Sequence, residues 1–374
     1  MSGPIDSLDR LLGQRVSMRS MFLLRIAAGL VALLHLWPFI DDARNGHIYR
    51  DTFYEPYAAW WPELPRDAYV AALVVGAIAA VTTSLGLFTR ASTVTLFAIV
   101  TYNVLCSTTH FHHNRAYLII VLAALAAAPS GRALSLDAWL RRRRGLPAAD
   151  PDAPGWPLWL LRFEVSVVYV ASGFSKLVDP DWLGGTVTQG RMLHVRERIV
   201  AESPLPDWGV DILTDATFHS VVAPMIVFTE LFIGLGFWSR RTRYAALWVA
   251  VVFHLMIELS ASVQVFSYLA VSALVVWAVP STRDRTVVVD PATTAGRRTA
   301  TAVASLDWLA RFDVRLVGDG APPRVVDRDG SMSTGPAATR FVASRLLPVA
   351  WFALPLLLLP SSRRARSGAE HVAV

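Results

Sequence analysis

The amino-acid sequence predicts an all-α polytopic membrane protein with about eight transmembrane helices and a small α/β-like domain near its C-terminal end. Three observations support this fold class. The 374 residues are 54% hydrophobic and only 17% charged. The apolar residues form long continuous runs, which are typical of membrane spans. After residue 280 the composition changes to Thr, Asp, Arg, Gly and Pro.

Eight apolar runs are long enough to cross about 30 Å of hydrocarbon as helices. Several of the 13 Trp residues lie near their ends, as in an interfacial aromatic belt. The first run follows a long N-terminus without a small-residue cleavage site, so we interpret it as a retained helix. The runs are 20–40, 67–87, 91–109, 115–130, 156–177, 219–238, 244–260 and 263–280.

The arginines predict an orientation in the membrane, because cytoplasmic loops carry an excess of Lys and Arg. Arginines cluster in the N-terminal segment, the 2–3 turn, the 4–5 loop and the 6–7 turn, all on one side. The acidic connections 41–66 and 179–217 lie on the other side. We therefore expect a multi-pass protein of the cell inner (plasma) membrane with both termini cytoplasmic.

Two counts exclude classes of function. Cys106 is the only cysteine, which excludes an intramolecular disulfide, a Cys-x-x-Cys redox motif and a cysteine zinc site. The net charge of +6 comes from arginines beside the spans, so no nucleic-acid partner is predicted. Membrane lipid is the expected partner, and the sequence does not indicate an oligomeric state.

Lys176 is the sole lysine among 35 Lys and Arg residues. Arginine cannot be deprotonated in a protein, whereas a lysine in an apolar pocket can act as a base or nucleophile. A snorkelling interfacial cation is the alternative, but Arg snorkels equally well. We therefore predict a catalytic lysine, at the outer end of the fifth span.

Other polar residues gather on the same predicted side. His254 and Glu258 are four residues apart on one helix face, so the carboxylate could orient the imidazole. A self-satisfied buried pair is the alternative. Tyr117, which begins the fourth span, and Glu258 are further candidates for binding a substrate or a quinol. Further inward, Glu230 and the pair formed by Arg162 and Glu164 are expected to be internal ion pairs or interfacial residues.

The stretch HFHHNR, residues 110–115, offers three imidazoles that could bind iron, copper or zinc. Adjacent imidazoles in a turn rarely converge on one ion, so we predict no metal and expect substrate contact by His113 and Asn114. Arg115 could bind a carboxylate or a quinone oxygen.

Three blocks together resemble the vitamin K-dependent γ-carboxylases and their bacterial relatives, the HTTM-domain proteins. In the first block the matching residues include Gly173, Lys176 and Trp182; in the second, Ser135 and Asp137. The resemblance covers about residues 19–280. The blocks are GFSKLVDPDWLGG, NRAYLIIVLAALAAAPSGRALSLDAW and FHLMIELSASVQVFSYLAVSALVVWAVP.

The resemblance implies a reaction and its cofactors. The lysine that matches Lys176 is taken to deprotonate a reduced quinone of the vitamin K or menaquinone type, which reacts with O2 to give a base that abstracts a substrate proton, after which CO2 adds. It also implies quinol or substrate contact by Trp182. The family's Asn-His is Asn114-Arg115 here, so the histidine assigned to proton handling in the carboxylation step is absent from its place, and His113 is a candidate substitute. The substrate, whether peptide, lipid or small molecule, is not indicated.

The tail resembles the thioredoxin-like DCC family. TVVVD predicts a buried strand, TTAGRRTATAVASLDWLARFD a helix and VVDRDGS a hairpin. DPATTAG stands where that family has its Cys-x-x-Cys, so a redox-inactive domain is expected. The predicted domains are a cytoplasmic segment 1–18, the transmembrane domain 19–280, the degenerate thioredoxin-like cytoplasmic domain 281–360 and a disordered basic tail 361–374.

Two other functions stay open. The first is a metal-dependent membrane oxidase that uses His110 and His112. The second is a non-catalytic immunity, sensor or transport factor, for which Lys176→Arg is silent. The preferred hypothesis is an extracytoplasmic-facing, γ-carboxylase-like enzyme with Lys176 and His254 as catalytic residues.

Overall fold

The computed structural model describes residues 4–46, 54–108, 113–202, 206–261, 265–279, 285–307 and 311–346. The chain divides into two compact units, residues 1–278 and 279–374, and each is described by itself. His110, His112, residues 347–360 and the basic end 361–374 lie outside the described residues.

The first half of unit 1 is built from helices and one short two-stranded sheet. In the sheet, β1 pairs antiparallel with β2, with Val16 opposite Ala153. The elements in order are α1 (Pro4–Gly13), β1 (Arg15–Ser17), α2 (Arg19–Arg44), α3 (Arg66–Leu85), α4 (Thr89–Leu105), α5 (His113–Ala127), α6 (Leu136–Arg143), β2 (Asp152–Pro154) and α7 (Trp156–Leu177).

The second half of unit 1 is helical throughout its described residues. Three short or amphipathic helices follow α7, and the chain then returns to long apolar ones. The elements are α8 (Pro180–Leu183), α9 (Thr186–Glu202), α10 (Asp207–Thr214), α11 (Ala216–Gly236), α12 (Arg243–Ala261), α13 (Val265–Ala273) and α14 (Val275–Ala278).

Four helices of the described chain, α2, α3, α7 and α11, are long and apolar enough to cross a membrane. The helical membrane character predicted from the sequence is therefore confirmed. The other four apolar runs fall on α4, α5, α12 and the α13–α14 segment. Crossing by these helices, a total of eight spans and the sidedness of the loops stay predictions.

Helix α2 lies at the centre of unit 1, where it packs against α3, α5, α13 and α14, while α7 packs against α11. The facing surfaces are buried, including Phe22, Leu36 and Tyr169. The outward faces remain apolar and exposed, as lipid contact requires; they carry Leu30, Leu34, Val75, Ile78, Met225 and Phe228.

Asp137 fixes the turn between α3 and α4. Its carboxylate accepts hydrogen bonds from the Phe88 and Thr89 backbone N–H groups at 2.9 and 2.8 Å and from Thr89 Oγ1 at 2.7 Å. A carboxylate at a helix N-terminus satisfies donors that have no partner within the helix and complements the helix dipole. Asp137 therefore anchors the start of α4 to the start of α6.

Unit 2 is a four-stranded sheet with two described helices. The sheet order is β4-β3-β5-β6, with β3 parallel to β4 and antiparallel to β5. Val287, Val303 and Val325 lie in its buried core. The elements are β3 (Thr286–Val289), α15 (Thr294–Leu306), β4 (Asp313–Leu316), β5 (Arg324–Val326), β6 (Met332–Thr334) and α16 (Gly335–Ala343).

The predicted strand, helix and hairpin of the tail correspond to β3, α15 and β5–β6, but α15 is shorter than expected. It ends at Leu306, and the Asp307 side chain accepts hydrogen bonds from the Arg311 and Phe312 N–H groups. Strand β4, which follows, was not among the predicted elements; it has only four residues, and two of them are exposed. The relation of unit 2 to thioredoxin-like domains stays a prediction.

Candidate functional site

Lys176 forms a buried ion pair with Glu230. Its Nζ lies 2.6 and 2.7 Å from the two carboxylate oxygens, and the side chains are 16% and 5% exposed. Such short charge-assisted hydrogen bonds stabilise the charged forms of both groups. Glu230, expected only to be an internal ion pair or an interfacial residue, is therefore the partner of the sole lysine.

Ser172 completes the environment of the pair. Lys176 Nζ donates to Ser172 Oγ at 2.8 Å, and Ser172 Oγ donates to Glu230 Oε1 at 3.1 Å. Ser172 lies one turn before Lys176 on α7, so the two side chains share a face. The hydroxyl links the cation to the anion and fixes the Lys176 rotamer.

Gly173 lets α7 and α11 approach closely enough for this pair to form. A Cβ atom at this position would lie 3.0 Å from Leu231 Cδ2 and 3.3 Å from Glu230 Cβ. Any side chain here would therefore press against the α11 residue that carries the carboxylate. The glycine of the GFSK motif is explained by this helix contact.

Trp182 covers the cation. Lys176 Nζ lies 4.9 Å from the centroid of the indole ring, within the range of a cation–π interaction. The ring is placed by α8, whose N-cap Asp179 accepts hydrogen bonds from the Asp181 and Trp182 N–H groups. The guanidinium of Arg191 lies 5.1 Å from the same ring.

Gly185 closes the motif and seats α9 against the start of α11. Its φ is +86°, in the left-handed region, and a Cβ atom would lie 2.5 Å from the His219 carbonyl carbon. Only glycine combines this backbone angle with this contact. The motif thus contains a glycine that allows close helix packing, the lysine, a tryptophan held over the lysine by the capped helix α8, and a glycine that forms a turn.

His254 bonds to Tyr169 and not to Glu258. The Tyr169 hydroxyl and His254 Nε2 are 2.7 Å apart in the core, and His254 Nδ1 has no hydrogen-bond partner among the described residues. The expected support of His254 by Glu258 is therefore not formed, because the imidazole faces α7 and its Nε2 is taken by Tyr169. Three aromatic rings, Tyr169, Phe253 and Phe266, surround the imidazole.

The remaining candidate residues lie on α5. The Arg115 guanidinium lies 4.9 Å from the centroid of the Phe39 ring. Tyr117 is buried in the core of unit 1. The backbones of His113 and Asn114 begin α5, but their side chains lie outside the described residues. Of the predicted site residues, Lys176 and Trp182 are in direct contact.

Arg162 and Glu164 are not an ion pair. Arg162 Nε donates to the Val276 carbonyl at 2.8 Å, and its guanidinium lies over the rings of Trp159 and Trp277. Two residues apart on a helix, the two side chains point to different faces.

The described residues contain no group of three or more His, Cys, Asp or Glu side chains that could hold a metal ion. His110 and His112, on which the oxidase alternative depends, lie outside them. That alternative stays a hypothesis.

Fold and site together define a helical membrane protein with a buried lysine–glutamate pair beneath a tryptophan. The HTTM domain model matches residues 14–281. The chain therefore belongs to the HTTM-domain family, which is associated with vitamin K-dependent carboxylase-like proteins. No curated protein and no solved structure matches the sequence.

Proposed function

We propose that this protein is a γ-carboxylase-like membrane enzyme in which Lys176 and Glu230 move the protons of a reduced quinone. One observation carries the proposal: the sole lysine is paired with a carboxylate under an indole ring, on a helix that is long and apolar enough to cross a membrane. From the arginine distribution we also propose that the site faces the extracytoplasmic side of the inner membrane.

The residues at the pair suit a reduced quinone. A phenolic hydroxyl requires a proton acceptor, and an aromatic ring requires an apolar or aromatic surface; Lys176 and Trp182 offer these side by side. Phe174, 59% exposed on the same helix, lies where a lipid-soluble molecule would approach. When bound, a reduced quinone with O2 supplies the strong base needed to take a carbon-bound proton, and CO2 is the electrophile if carboxylation follows.

The geometry of the pair supports a path for the proton. Lys176 and Glu230 face each other as an ammonium and a carboxylate joined by short charge-assisted hydrogen bonds. We infer that Nζ first passes a proton to the Glu230 carboxylate, 2.6 Å away. The neutral amine then accepts the proton of a phenolic hydroxyl, and the pair ends with one proton more than it began with.

Tyr169 and His254 are the proposed exit for that proton. Tyr169 precedes Lys176 by seven residues, about two turns or ~10 Å along α7. The Tyr169 hydroxyl is hydrogen-bonded to His254 Nε2 at 2.7 Å. In this proposal His254 receives the proton through the hydroxyl and returns the pair to its starting state.

The test is quinol epoxidation by the purified full-length protein in detergent, with reduced menaquinone or vitamin K hydroquinone and O2. We expect epoxide from the wild type and a loss of about 10²- to 10⁴-fold in Lys176→Arg and Lys176→Ala, the range of general acid–base catalysis. Arg191→Lys is the matched control, because it changes the other cation on the Trp182 ring and keeps its charge.

Two outcomes contradict the proposal. If Lys176→Arg retains the wild-type rate, the lysine is not the base. If the folded wild type consumes no quinol, the pair has a structural role, as the non-catalytic alternative requires.

A further inference from the structure

Four arginines line a cavity at the end of the helical unit where α7 begins, away from Lys176 at its other end. The cavity has a volume of about 750 Å³ and lies between the α3–α4 turn, the end of α5, α6 and the start of α7. Among its lining residues are Arg90, Arg132, Arg141 and Arg144. Asp137 is the single acid in the lining, which gives it a net formal charge of +3.

The acid in the lining does not neutralise the charge of this cavity, and the nearby Asp150 carboxylate, which faces Arg132, is ion-paired with Arg15 at 2.6 Å. The Asp137 carboxylate is already occupied by three hydrogen bonds from the α4 N-terminus. Arg132 Nη1 and Arg141 Nε donate to backbone carbonyls, which leaves other guanidinium N–H groups of both residues for a ligand. In the described part of the chain the side chains of Arg90 and Arg144 have no recorded hydrogen bond or ion pair, and both are exposed.

The cavity lies at the ends of helices, two of which border candidate membrane spans or belong to them. It is lined where α3 ends, α4 begins, α5 ends and α7 begins, and α3 and α7 are candidate spans. Its rim carries large apolar side chains that face outward: Phe88 is 73% and Trp156 43% exposed. Arginines beside exposed aromatic residues at helix ends are typical of the membrane interface.

We propose that this cavity binds the phosphate of an anionic lipid headgroup. Guanidinium groups bind phosphate oxygens in a bidentate manner, and several around one cavity select a phosphate with net negative charge over a zwitterion. The volume admits a glycerol phosphate headgroup, and the apolar rim accommodates the start of the acyl chains. The site is independent of the reaction proposed at Lys176.

The test titrates the full-length protein in dodecyl maltoside with dioctanoyl phosphatidylglycerol and follows the thermal unfolding midpoint. A ligand that binds the folded state raises the midpoint saturably. We expect such a rise for the wild type, and an apparent Kd weakened about thirtyfold in Arg90→Gln/Arg144→Gln, since each arginine near the surface contributes about 1 kcal/mol. Phosphatidylcholine should have little effect.

Two arginines of α6 that precede Arg144 provide a matched control. Arg142 and Arg143 are exposed on α6 but do not line the cavity, so Arg142→Gln/Arg143→Gln removes the same charge. We expect it to bind phosphatidylglycerol within about twofold of the wild type. If the first double variant does not fold, Arg144→Gln alone, on the exposed end of α6, should still weaken binding several-fold.

Three results would overturn the proposal. Equal weakening in both double variants would mean diffuse surface charge. Saturation by inorganic phosphate at the same concentrations would mean a soluble anion. Equal stabilisation by phosphatidylcholine would mean that the arginines do not select the headgroup.

Discussion

Lys176 on α7 and Glu230 on α11 are separated by 54 residues in sequence, yet their charged groups are 2.6 Å apart. The contact joins two helices that are both apolar enough to span a membrane. Burying a single charge in such apolar surroundings costs free energy, and pairing it with an opposite charge offsets much of that cost. The pair is therefore both a structural link and the proposed reactive centre, and the first two predictions separate these roles.

Glu230→Gln should destabilise the protein and abolish quinol consumption. The amide keeps the shape of the carboxylate but leaves the Lys176 ammonium without its counter-ion, which costs about 3 kcal/mol for a buried pair. Thermal unfolding in detergent measures the first effect and the epoxide assay the second. Glu197→Gln, on the exposed surface of α9, should change neither. Unaltered stability in Glu230→Gln would show that the pair is not formed.

The charge-swapped variant Lys176→Glu/Glu230→Lys distinguishes the contribution of the pair to stability from its role in catalysis. It restores opposite charges at the same two positions, so stability should recover relative to either single change. Quinol consumption should not recover, because the amine now projects from α11 and has lost its place beneath Trp182. Recovery of activity together with stability would mean that only the pair, and not the position of the amine, matters.

Gly173→Val should weaken the contact between α7 and α11. The added Cβ would lie 3.0 Å from Leu231 Cδ2, and overpacking of this kind typically costs about 1–3 kcal/mol. The free energy of unfolding should fall accordingly. Gly190→Ala on α9 is the control, since a Cβ there has nothing within 4 Å and Ala stabilises a helix by roughly 0.5–1 kcal/mol relative to Gly. Equal effects of the two changes would contradict the packing argument.

Tyr169→Phe should leave His254 without a hydrogen bond at either ring nitrogen, because Nδ1 already has none among the described residues. An unsatisfied buried group costs about 1–3 kcal/mol. His254→Leu likewise leaves the Tyr169 hydroxyl without this hydrogen-bond partner. The double variant removes both groups, so its loss of unfolding free energy should be smaller than the sum of the losses in the two single variants. A double-mutant cycle on the unfolding free energy measures this coupling; strictly additive effects would exclude the contact.

The sequence predicted the helices better than the contacts between them. The runs at 20–40, 67–87, 156–177 and 219–238 correspond to α2, α3, α7 and α11, since apolar length alone identifies a candidate span. Helices α4 and α5, with 17 and 15 residues, are shorter than a typical span of about 20 residues, so apolar length alone does not identify them as spans.

The partners of the candidate residues were harder to predict. Lys176 was visible as the sole lysine, and Glu230 as an acid within an apolar run. Their pairing depends on α7 and α11 being neighbours, which no local pattern indicates. The i, i+4 spacing on one helix face also predicted that Glu258 would orient His254. In the structure the imidazole is hydrogen-bonded to Tyr169, which lies on another helix. The isolated lysine was itself a signal, because a buried cation needs an acid somewhere in the chain.

The structural role of Asp137 can be separated from the chemical role proposed for Lys176 and Glu230. Its carboxylate holds the start of α4, so its presence in a homologous chain would diagnose the scaffold and say nothing of chemistry. The presence of both Lys176 and Glu230 would instead indicate the proposed reactive centre. A homologue that keeps the aspartate but lacks the pair should share the architecture and be inert toward quinols, which gives a criterion for sorting genomic sequences before any is purified.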